Sequence, residues 1–142
     1  MLINPFSQLD VYLATYPDRM HHLDLGLFNY QVIYTREMLK NLCGQVAVDE
    51  LDKRLATILR FSDLKIFKNG LENIKRFTAN EYHNMMKVFL FIIEGIIIKK
   101  KYCKKYDKEL VDVYYKWNKM YLFSQKKYFL ELELVKFQVQ YF

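Results

Sequence analysis

Any chemistry in this chain has to come from polar side chains gathered at a few places. The first is the run Pro17-Asp18-Arg19-Met20-His21-His22-Leu23-Asp24-Leu25-Gly26. Asp18 and His21 stand three residues apart, so on a helix they can meet, and a carboxylate beside an imidazole either fixes its tautomer or joins it on a metal ion. His22 is expected to point elsewhere. Each has a plainer use: aspartate is a favoured cap for the first N–H groups of a helix, and a hydrogen-bonded core histidine needs no function. A metal centre would require further ligands, and no HExxH-type spacing supplies them. The second place is Thr78-Ala79-Asn80-Glu81, the S/T-x-x-E pattern of a capping box. Its Glu81 either closes that box or, with acids from elsewhere, holds a divalent cation. There is no Gly-rich phosphate loop, GxSxG elbow or nucleophile constellation.

The third group is cationic. Residues 1–98 carry 11 Lys and Arg against 11 Asp and Glu, whereas residues 99–142 carry 11 Lys against 5 acids, so the whole formal charge of +6 lies there. Lys99, Lys100, Lys101, Lys104 and Lys105 hold most of it. Such a cluster attracts nucleic acid or an anionic membrane without reading sequence, and is otherwise a solvated loop between two helices.

Helices must position these groups. Both prolines, Pro5 and Pro17, precede residue 18, and the 142-residue chain has only 4 Gly, so the next 125 residues contain no obligatory helix breaker. Met20, Leu23, Leu27, Tyr30, Tyr34 and Leu39 approximate one helical face from Asp18 to a cap at Gly44. Val48 to Leu59 reads as an amphipathic helix facing inward through Val48, Leu51, Leu55, Ile58 and Leu59, with Asp49, Asp52 and Lys53 outward. Phe61 to Phe77, with its Lys68-Asn69-Gly70 turn, reads as a connector holding one helical turn. A helix opens at Thr78 and runs through Ile97, apolar nearly all round in its second half and hence central in the core. After the lysine loop, Leu110, Tyr114, Trp117, Tyr121 and Tyr128 form an aromatic stripe on a long helix, and Leu130 to Phe142 is read as a last helix. Residues 1–17 are expected to be an irregular lead-in, with Leu9 to Ala14 a short extended segment.

Composition sets the class. At 52% hydrophobic with 24 aromatics, the chain excludes disorder and low complexity, and its length suits a single helical domain, 1–142. The apolar run Val88 to Ile98 is 11 residues long and broken by Glu94, short of the roughly 20 that span a bilayer. No membrane partner is expected. Cys43 and Cys103 form no CxxC pair and no secretory signal is read, so an intracellular, reducing compartment is expected.

Two blocks carry a family resemblance. Tyr16 to Phe28 (YPDRMHHLDLGLF) resembles a block of the plavaka-type DNA transposases of the CACTA superfamily, common in fungal genomes. Phe61 to Leu71 (FSDLKIFKNGL), Phe77 to Tyr82 (FTANEY), Met85 to Val88 and later Tyr115-Lys116-Trp117 resemble that family's following segments in the same order, covering about residues 9 to 130. The resemblance implies an RNase H-like catalytic core in which two Asp and one Glu bind divalent metal and cut DNA. Asp18-Arg19-Met20-His21 fits the C/D-x-x-H motif of several such superfamilies, and Glu81 fits the last acid. The two strand-borne aspartates should precede this region, where Asp10 is the sole acid. The expected fold is therefore all-α, an irregular array of four to six helices, like the helical second half of such a core without its sheet. The chain is expected to be a transposase-derived fragment, inactive alone, with no metal of its own; magnesium is implied only for a complete family member. The rival reading is a self-standing helical module that binds nucleic acid or a protein partner through its basic loop. Non-specific DNA binding, self-association through an apolar patch left by the missing sheet and, if the resemblance holds, a nuclear location complete the expectations.

Overall fold

Helices dominate the residues that the computed structural model describes, 18–59, 62, 64–97 and 104–141, and no strand occurs among them. The all-α expectation holds. In chain order the elements are α1 (Met20–Phe28), α2 (Asn29–Cys43), α3 (Gln45–Ala56), a 3₁₀ turn (Ile74–Arg76), α4 (Ala79–Ile93), α5 (Lys104–Ser124) and α6 (Glu131–Tyr141). The lead-in 1–17, with Asp10 and its extended segment, lies outside the described residues, as do Lys99, Lys100 and Lys101. Lys104 and Lys105 belong to the first turn of α5 rather than to a loop.

α1 winds in wide π-type turns and passes without a break into α2, the residues at the junction keeping right-handed helical angles. The face it buries differs from the expected one. Asp24, Phe28, Val32, Thr35 and Leu39 point inward, at spacings of four, four, three and four, whereas Leu27, Tyr30 and Tyr34 are exposed. Two polar residues inside the true stripe disguised it. Both are satisfied in place: Tyr114 Oη donates to the Gln31 carbonyl at 3.2 Å, leaving the Thr35 hydroxyl, 2.8 Å away, to donate to Tyr114, and Asp24 is bonded as described below.

Phe28 is the centre of the core. Tyr82, Phe89 and Tyr114 meet its ring edge-on at centroid distances of 6.1–6.3 Å, and Trp117 stacks on it at 5.9 Å. α4 carries Tyr82 and Phe89, α5 carries Tyr114 and Trp117, so one ring from α1 joins three helices. Tyr128, the expected last member of the α5 stripe, lies beyond the helix end and is 88% exposed. α4 stops at Ile93 rather than continuing to Ile97, yet Ile96 and Ile97 stay buried in the turn that follows. Arg54 of α3 closes that end, donating to the carbonyls of Ile92 (3.1 Å) and Glu94 (2.8 Å).

α2 and α3 meet at Gly44, whose φ of +83° reverses the chain while its N–H still bonds the Lys40 carbonyl. α3 ends at Ala56, so Leu59, expected inside, is exposed. Asp52, expected on a solvated face, is instead half-buried and holds two elements to α3. Its Oδ2 accepts from Arg36 Nη2 at 2.8 Å and its Oδ1 from the Leu71 N–H at 2.9 Å. Gly70 makes this possible, because a Cβ there would stand 2.6 Å from the Asp52 Cβ, and its φ is +56°. α6 attaches to the end of α5 by Phe137, which stacks on Phe123 at 4.6 Å, and Phe129, just before α6, meets the same Phe123 ring tilted at 5.0 Å.

Candidate functional site

Asp18 and His21 do form a local pair, His21 Nδ1 lying against Asp18 Oδ2. Asp18 Oδ1 meanwhile accepts the Met20 N–H at 2.9 Å, in the manner of a helix cap. His22, expected to turn away, returns to the same residue, its Nδ1 2.9 Å from the Asp18 carbonyl. The cluster is exposed, and the hydrogen bond from His21 holds the Asp18 carboxyl below its ordinary range. The arrangement folds the polar groups of one turn back onto each other.

Glu81 is occupied in the same way. Its Oε2 accepts the Thr78 N–H at 2.6 Å and the Thr78 hydroxyl at 2.8 Å, its own N–H reaches back to Thr78 Oγ1, and Oε1 pairs with Lys65. Burial alone would raise its pKa; the Lys65 and Thr78 hydrogen bonds outweigh that and hold it low. Glu81 and Asp18 stand at the starts of two different helices, and each of their carboxylate oxygens accepts a hydrogen bond from its own helix start or, at Glu81, from Lys65. No group of three or more His, Cys, Asp or Glu among the described residues is placed to hold a metal ion.

A polar chain that the sequence did not announce lies deeper. Tyr121 Oη donates to Asp24 Oδ1 at 2.7 Å, and His83 Nδ1 stands 3.0 Å from the same hydroxyl. Since the phenol proton goes to Asp24, His83 must supply its own Nδ1–H, which leaves the lone pair on Nε2. Asp24 and Tyr121 are each 5% exposed. Desolvation raises the Asp24 carboxyl against the opposing Tyr121 bond, lowers His83, and with Asp24 pushes the Tyr121 phenol up to about 12. The Arg19 guanidinium sits 5.8 Å from the Tyr121 ring centroid. α1, α4 and α5 each contribute one member, 97 residues separating Asp24 from Tyr121. His83 and Tyr121 also border an open groove of about 460 Å³ with Lys87 and Asn118.

Comparison with known protein families, curated proteins and solved structures finds no match. No helix among the described residues is long and apolar enough to cross a membrane.

Proposed function

We propose that the chain is a transposase-derived helical module that binds nucleic acid in the nucleus and does not cut it alone. The observation that supports this reading is the engagement of Glu81, whose two oxygens accept from Thr78 and Lys65. The acid that best fits the family pattern thereby serves as a helix cap. The likeness of Tyr16 to Phe28 and of the later blocks to plavaka-type transposases supports the ancestry, and the positive charge beyond residue 98 supports the polyanionic partner. Lys99, Lys100, Lys101, Lys104 and Lys105 are the contact residues in this reading. Fluorescence anisotropy with a labelled duplex tests it: neutralising about five phosphates gives a log-log salt slope near −4 to −5. Replacing the five lysines by glutamine should remove their share of that slope, and a duplex that the wild-type chain ignores at low salt would refute the reading.

One observation favours a second surface. Leu132, Val135 and Val139 of α6, spaced three and four apart, are all more than half exposed and form one stripe. Self-association through this stripe is the corresponding proposal. Light scattering across a concentration series tests it, with a monomer at every concentration as the contrary result.

A further inference from the structure

Two grooves open on either side of the Ile74–Arg76 turn, and consecutive residues of that turn serve them separately. Lys75 lines one, of about 310 Å³, with Arg36 and Lys40 of α2. Arg76 lines the other, of about 300 Å³, with Lys65 and Lys68. Six cationic side chains thus face two carboxylates, Glu37 and Glu81. Arg36 and Lys65 are already engaged by Asp52 and Glu81. Lys40, Lys68, Lys75 and Arg76 are exposed and have no carboxylate within ion-pair reach among the described residues. Elsewhere on the surface some cations are paired with nearby acids, as Arg54, Lys116 and Lys126 are, and others such as Lys53, Lys108, Lys127 and Lys136 are not, among the described residues. What sets Lys40, Lys68, Lys75 and Arg76 apart is their grouping along two concave surfaces that share the Ile74–Arg76 turn.

We infer that these two grooves hold the phosphates of a single nucleic-acid strand that crosses the Ile74–Arg76 turn, at a site made of residues other than the lysines of 99–105. The inference rests on the nucleic-acid reading above and adds a second contact surface to it. An isolated phosphate would be satisfied by the cations of one groove. A ligand that uses both must carry anionic groups on each side of the turn, as a phosphodiester backbone does. Each groove has room for a phosphate and its sugar. The second also offers the Asn69 and Asn73 side chains as hydrogen-bonding groups, with Ile66 and the half-buried Phe77 as apolar surface for a base.

The test is fluorescence anisotropy with a labelled 20-nucleotide oligothymidylate and a hairpin duplex over a salt series. The proteins compared are the wild-type chain, a groove variant (Lys40→Gln, Lys68→Gln, Lys75→Gln, Arg76→Gln) and the five-lysine glutamine variant. At about 0.7 per phosphate on a single strand, the groove variant should flatten the log-log slope by roughly 3, and the half variants K40Q/K75Q and K68Q/R76Q by roughly half as much each. Unchanged circular dichroism and melting verify the fold of each variant. The five-lysine variant should keep this part of the slope, and the groove variant should lose more affinity for the strand than for the hairpin. A groove variant indistinguishable from wild type, while the five-lysine variant loses all binding, would overturn the inference and leave the reading of the function standing. Equal losses on strand and hairpin, or displacement of the strand by polyglutamate as readily as by unlabelled oligothymidylate, would also overturn it. If the wild-type chain binds neither probe, both fall.

Discussion

Tyr121 is the residue on which the buried polar chain depends, because its one hydroxyl serves both Asp24 and His83. Tyr121→Phe would leave a desolvated carboxylate without this donor and should cost about 1–3 kcal/mol in urea unfolding. The same chain makes stability depend on pH. His83 is held below the ordinary value of 6.5, chiefly by desolvation and then by Lys87 and Arg19, with Asp24 opposing. Below 6.5 the unfolded chain takes up a proton that the folded chain does not, so this contribution is full above that pH and is lost as pH falls toward the folded value. Asp24 has the opposite sign: its raised carboxyl favours the folded state as pH drops. His83→Asn, which keeps a donor near the Nδ1 position, should flatten the decline in urea midpoint from pH 7 to 5; an unchanged decline would assign it to other groups. The sequence revealed the Asp18–His21 pair because three-residue spacing is a local property. It concealed Asp24–Tyr121–His83 because that contact joins three helices, and no spacing along the chain encodes it.

Helix ends were legible wherever a short motif specifies them. The Thr78 to Glu81 box is formed by side chains and N–H groups three residues apart, and α4 begins where it says. Glu81→Gln should therefore cost about 1 kcal/mol or less, read as a small shift in the unfolding midpoint, since a glutamine can still reach back to the Thr78 N–H. The phase of α1 and α2 was not legible. Its buried stripe contains Asp24 and Thr35, and the π winding of α1 departs from the period by which a helical face is recognised. The role of Gly70 was visible only as a turn signal, yet the Asp52 contact depends on it. Gly70→Ala should destabilise by about 1–3 kcal/mol in the same unfolding assay, because it adds a clash with Asp52 to a left-handed backbone position. A neutral result would mean that the connector can shift away from α3 without losing the bonds from Leu71 and Arg36.

At the scale of the whole molecule, the all-α class followed from the absence of breakers after Pro17 and from the apolar run of α4, which do not depend on which face is buried. The described helices close a core around Phe28, and the polar groups that resemble catalytic ones lie at helix starts, each already bonded. Binding without cutting is the central claim, and one gel reads both halves of it. Purified chain is incubated with supercoiled plasmid at low salt with magnesium or manganese, and each sample is run with and without protein digestion. The expected result is retarded plasmid that returns to the supercoiled position after digestion, in wild type and Glu81→Gln alike. Metal-dependent conversion to nicked circles by wild type, abolished in Glu81→Gln, would contradict it.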